Sequence, residues 1–139
     1  MSTEIGSLLF GFRGRINRAK YWLATVIYSV IVLTLIGAAF LFHFSGLFLA
    51  VFAIVCIVLF ISGLAISIKR LHDRDKSGWW LLLFYGAPAL FDAMDRLVSP
   101  HLVFNLVSIA ISLWMIIELG FLRGTPGPNP YGPDPLNPQ

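Results

Sequence analysis

Two uncharged stretches, Tyr21 to Phe42 and Leu47 to Ile68, each run for 22 residues, with only His43, Phe44, Ser45 and Gly46 between them. A bilayer core is about 30 Å thick and a helix rises about 1.5 Å per residue, so about 20 apolar residues cross it. Lipid offers no hydrogen bonds, so a lone crossing segment must satisfy its own N–H and C=O groups as a helix. The four-residue link forces the second helix back beside the first, as an antiparallel hairpin. A chain that is 58% hydrophobic and 12% charged, with a mean hydropathy of +0.82, cannot cover a water-soluble surface. Soluble domains carry roughly twice that share of charge. A length of 139 residues bounds the chain to one domain.

The second half is less regular. Leu102 to Leu122 is a further span of 21 residues carrying Asn105 and Glu118. Gly78 to Phe91 offers only 14 residues, interrupted by Gly86 and Pro88, or about 21 Å of helix. Counted out to Lys76 and Asp95 it reaches 20 residues, and snorkelling or local thinning completes a crossing. A re-entrant or interfacial segment is the rival. The expectation is an all-α integral membrane protein with four transmembrane helices, near 21–42, 47–68, 77–94 and 102–122. A basic arm, 1–20, precedes them and a Pro/Gly-rich tail, 123–139, follows.

Charge placement orients the chain. Of ten Lys and Arg residues, Arg13, Arg15, Arg18, Lys20, Lys69, Arg70, Arg74, Lys76 and Arg123 fall on one side of this arrangement, and only Arg96 on the other. The positive-inside rule makes that side, and both termini, cytoplasmic. Gly37-Ala38-Ala39 resembles a leader cleavage site, but the apolar run continues past it and the basic region before it is long, so the first span is expected to stay uncleaved.

Lys69 to Lys76 is expected to be a cytosolic loop of net charge +2, followed at once by Trp79 and Trp80. Indole rings favour the headgroup level, so the Trp pair marks a crossing from water to lipid. Trp22 and Tyr131 are further interfacial anchors. Asp75 or Ser77 offers an oxygen to cap the third helix. Arg15, Arg18, Arg70, His72, Asp73 and Arg74 form the candidate site for an anionic headgroup or a partner. Arginine pairs with phosphate in a two-pronged way, basic surfaces attract acidic lipids, and the aspartates would hold the arginines in place.

Three segments in order, GRINRAKYW (14–22), RLHDRDKSGWW (70–80) and GTPGPNPYGPDP (124–135), resemble those of the domain-of-unknown-function 805 family of small bacterial inner-membrane proteins. The resemblance covers most of the chain. It implies a multi-pass helical protein of the bacterial cytoplasmic membrane and carries no established activity. Two positions depart from the family pattern: Lys20 stands where an acidic residue is common, and Pro130 where an arginine is common.

The same segments have local physical meanings. Asn17 is a candidate N-cap for the first span, and Lys20 denies it the acidic partner of a capping box. Ile5, Leu8, Leu9, Phe12 and Ile16 share a helical face, which suggests a short arm lying on the membrane, although Gly6, Gly11 and Gly14 weaken it. Six of eight prolines lie beyond Gly124, so the tail is extended or turned; it is either disordered or folded back with Tyr131 at the interface. Glu118 and Asn105 are the intramembrane polar residues. Glu118 is expected to pair with Arg123, Arg70 or an N-terminal arginine, and Asn105 to bond between helices. Small pairs such as Gly63 with Ser67 permit close helix approach. His43 and His101 have no tight ligand spacing with Asp92 and Asp95. Cys56 lies in an apolar run. There is no nucleophile elbow or phosphate loop, and no catalytic, metal or cofactor residue is assigned. The function expected is that of a non-enzymatic binding or accessory protein, with membrane lipids and a protein partner or a second copy as its partners and no nucleic acid. The alternative is a small oligomeric transporter or channel lined by Glu118 and Asn105.

Overall fold

The structure, a computed structural model, describes residues 2–42, 45–97 and 102–137, with side chains from Gly6 onward. The described residues contain no strand, only helices and one isolated bridge between Asn129 and Gly132. Helix α1 is Ser2–Phe10, α2 is Arg18–Leu41 and α3 is Gly46–Asp73. Helix α4 covers residues 80–95, a π-helical turn at Leu82–Gly86 leading into α-helix Ala87–Asp95. Helix α5 is Leu102–Phe121, and its last turn, Ile117–Phe121, is also π-helical.

Three of these helices, α2, α3 and α5, are long and apolar enough to cross a membrane. The fourth expected span is the 16-residue α4, about 24 Å long and short of a full hydrocarbon core. Its π turn lies directly before Pro88, which removes an N–H and crowds the preceding turn, a common cause of local widening.

The helices pair as two antiparallel hairpins. Tyr28 of α2 bonds Ser62 of α3, and Phe42 stacks on Phe48 at their far end, with centroids 5.6 Å apart. In the second hairpin Trp80 and Phe84 of α4 meet Trp114 edge-on at 5.6 and 5.4 Å, and Phe91 stacks on Phe104. Among the described helices, backbone approaches between the hairpins are found at the end where the π turn of α5 meets α2 and α3. Leu71, Leu81, Phe84 and Leu119 form the buried core there, joined by Tyr21, Ile68 and Trp80.

Local signals explain the helix ends. Asn17 caps α2 as expected, accepting the Lys20 N–H at 2.9 Å. Ser45 caps α3 through Phe48 N–H. Helix α4 opens on backbone carbonyls, with Trp80 N–H on Ser77 O and Leu81 N–H on Gly78 O. Asp75 occupies the left-handed turn at φ 57°. The arm is helical, packs against α3 and ends where Gly11 N–H reaches Ser7 O. On its expected face Ile16 is buried, Leu8 and Leu9 are half-buried and Phe12 is exposed, while the Ile5 side chain lies outside the described residues.

One boundary needs correction. Lys69 to Asp73 were expected to begin a solvated loop, yet α3 continues through all five and each is buried. Charge there does not end the helix, because nearly every charged side chain finds a partner from elsewhere in the chain.

Candidate functional site

The first turns of α2, the last turns of α3 and α5, the 11–17 segment and the tail converge in one polar cap. Asp73 is its hub. Its Oδ1 accepts Arg15 Nε and Nη2 at 3.1 and 3.0 Å, and its Oδ2 pairs with Arg70. Both arginine side chains are about 1% exposed. Thr125 N–H closes onto Asp73 O at 2.8 Å. Arg15 carries the connection on to tail carbonyls, at 2.7 Å to Thr125 O and 2.7 Å to Gly127 O. Burying such charges is costly, and a buried ion pair persists only when its remaining hydrogen bonds are also met; here they are.

The end of α5 is the second element. A helix leaves its last carbonyls without internal partners, and its C-terminus carries negative partial charge. Five successive carbonyls are taken by side-chain donors: Leu119 O by Arg70 Nε at 2.7 Å, Gly120 O by Trp22 Nε1 at 2.9 Å, Phe121 O by Arg18, Leu122 O by Arg70 and Arg123 O by Arg74. Gly120 is required by the close approach of Trp22, since a Cβ there would stand 2.7 Å from the indole ring. A Cβ on Gly124 would collide with the Asp73 carboxylate.

Glu118 is buried and paired, but with Arg74 and Lys76 at 3.0 and 2.9 Å rather than with Arg123, Arg70 or an N-terminal arginine. Lys76 also lies 4.5 Å over the Trp80 ring. Asn105 lies near the start of α5, away from the cap. His72 has partners of its own, beside those of Asp73. Its ring stacks on Tyr131 at 3.9 Å and 6°, and its Nδ1 donates to Gly14 O, because a carbonyl can only accept. Asn129 bonds His72 O and Thr125 Oγ1. Lys69 donates to the carbonyls of Ser7 and Leu8 and so ties down α1.

The tail is folded onto the cap through residue 137. Asn129 and Gly132 exchange backbone bonds at 3.1 and 3.0 Å. Asp134 accepts N–H groups of Leu136 and Gly127, and the Leu136 bond first holds its carboxyl below the usual range.

Of the six candidate binding residues, Arg15, Arg70, His72 and Asp73 are therefore internal ties, Arg74 is a half-exposed tie, and Arg18 remains exposed. Sequence reasoning left Arg123 out of the candidate site, although the charge count had placed it on the same side. Arg13, Lys20 and Arg123 are exposed as well. Trp79 is 76% exposed, as a membrane-facing anchor would be, whereas Trp22 and Tyr131 also hold the cap together. A cleft of about 440 Å³ opens between the start of α2 and the tail, lined in part by Arg18, Arg70, Arg123, Asp73, Asp134 and Thr125. His43 and His101 lie outside the described residues.

These features define a small multi-pass helical membrane protein whose spans are joined at one end by a folded polar cap. The chain belongs to the DUF805 family, "Protein of unknown function (DUF805)", whose model matches residues 9–133. In Escherichia coli K12 it is similar to the uncharacterized protein YiiR, 36% identical over 91% of this chain and 86% of that one. Inner membrane protein YhaH is 33% identical over 90% and 87%, and inner membrane protein YhaI 31% identical over 90% and 86%. No solved structure matches the chain. It is a multi-pass protein of the bacterial inner membrane.

Proposed function

We propose that the chain crosses the inner membrane four times with both termini in the cytoplasm, and that the cap is a non-enzymatic binding surface for acidic lipid headgroups. The crossing number is supported by direction. Helix α3 ends and α5 ends at the cap, so α4 must carry the chain to the far side for α5 to return. Orientation is supported by charge, since nine of the ten Lys and Arg residues lie at the cap end and Arg96 lies at the other.

The observation that carries the binding role is the inequality of charge in the cleft. Asp73 is paired with Arg15 and Arg70, and Asp134 keeps its negative charge on backbone N–H groups, so with Arg18 and Arg123 counted two carboxylates face four guanidinium groups. Arg18 and Arg123 reach the same cleft with exposed side chains. An anionic headgroup there gains roughly 1 kcal/mol per base near the surface. The transporter reading needs Glu118 to line a path, and Glu118 is held in two ion pairs.

Reporter fusions after residues 46, 76 and 139 test the orientation, with the last two expected in the cytoplasm and the first outside. Lipid analysis of the purified protein tests binding. Enrichment of acidic over zwitterionic lipid is expected, and it should fall in the double variant Arg18→Gln/Arg123→Gln. Unchanged enrichment in that variant removes the cleft as the site, and loss of a co-purifying protein instead would make the cap a protein-docking surface.

A further inference from the structure

The two hairpins diverge below the cap and leave a lateral groove of about 510 Å³ between α2, α3 and Tyr85 of α4. Its wall is unusual for a lipid-facing surface. Six of its lining residues bear hydroxyls: Tyr21, Thr25, Tyr28 and Ser29 of α2, Ser67 of α3 and Tyr85. Two of those protons are already committed. Thr25 donates to Tyr21 O at 2.9 Å, and since Ser62 donates to Leu9 O, the short Tyr28–Ser62 bond must take its proton from Tyr28. Polar side chains within a bilayer are costly unless they find partners.

Depth and charge say what kind of partner suits the groove. It follows α2 from Tyr21 to Leu33, about 18 Å at 1.5 Å per residue, which is about the distance from the headgroup level past the middle of the hydrocarbon core. Its deep end, at Val32 and Leu33, is apolar. Arg18 stands on the same face of α2, three residues before Tyr21 and seven before Thr25. The order from cap to membrane centre is thus guanidinium, hydroxyls, hydrocarbon.

We infer that the groove holds one diacyl phospholipid, with its phosphate at Arg18, its ester carbonyls on the hydroxyl band and an acyl chain running down to Val32 and Leu33. The proposal rests on the cap reading only for the preference among headgroups. The groove itself requires the ester carbonyls and the chain.

The test uses the full chain in mild detergent, titrated with dioleoyl phosphatidylglycerol, with its diether analogue and with dioleoyl phosphatidylcholine, and retained lipids are counted by native mass spectrometry. One diester lipid per chain is expected. Gly63 lines the groove and has open space where a Cβ would stand, so Gly63→Leu is the substitution chosen to fill the groove. Retention should fall about tenfold or more in that variant. The diether, which lacks the carbonyls, should bind about fivefold more weakly. The combined variant Tyr21→Phe/Ser29→Ala/Ser67→Ala/Tyr85→Phe should erase the difference between ester and ether. Undiminished retention in Gly63→Leu, or equal retention of ester and ether by the native chain, overturns the proposal. Equal retention of phosphatidylglycerol and phosphatidylcholine, with both lost in Gly63→Leu, supports the groove and counts against the cap as an acidic-lipid surface.

Discussion

The two ends of this molecule are held by different forces. At the cap end Arg70, Leu71 and Leu119 are fully buried, and Arg15 links distant segments through an ion pair to Asp73, 58 residues away, and a hydrogen bond to Thr125 O, 110 residues away. At the hairpin end Leu41 and Leu47 are 78% and 80% exposed to whatever surrounds the protein. Within a bilayer that exposure is normal. Lipid tails are as apolar as leucine, so burying one against another gains little, and helix association relies on packing and hydrogen bonds. The difference teaches that the membrane determines that these helices exist, while the cap determines how they are arranged. Polar contacts at the cap are worth most because several are shielded from water on all sides.

That contrast is open to direct challenge. The largest effect is expected for Asp73→Ala, which leaves Arg15 and Arg70 buried without their carboxylate. A loss of about 3–5 kcal/mol is expected in reversible unfolding in detergent, and a loss below about 1 kcal/mol would mean the cap is not the principal tie. Glu118→Gln should cost less, about 1–2 kcal/mol, because Arg74 and Lys76 are about a quarter exposed and keep access to solvent. Hydrogen exchange should then rise first in residues 117–125. Leu47→Ala at the opposite end should change stability by less than about 0.5 kcal/mol. A larger loss there would show that the hairpin end carries arrangement as well.

The sequence displayed one of these ends plainly and concealed the other. The long uncharged stretches fixed the hairpin to within a few residues, and Asn17 announced the start of α2, because both signals are local. The fate of RLHDRDK is not local. A charge is read as solvated unless a partner is in view, and the partners of Arg15 lie 58 residues away at Asp73 and 110 away at Thr125. For the same reason Glu118 was matched with the wrong cations. Arg74 and Lys76 are 44 and 42 positions before it, and only the return of α5 to the cap brings them near. The π turns left no sequence mark beyond Pro88 and Gly120. The tail's composition left disorder and a fold back onto the basic segments both open, and its prolines and glycines shape turns that present carbonyls to Arg15.

The reach of Arg15 to the carbonyls of Thr125 and Gly127 sets an order of events in biogenesis. The arginine emerges from the ribosome before the first long helix, whereas its acceptors follow the last one. The long helices are therefore made while the cap is still open, and the segment from Thr125 to Gly132 acts as a latch that locks a finished arrangement. A chain truncated after Gly124 would be inserted but unlatched, and a protease that samples loose tails would tell the two apart.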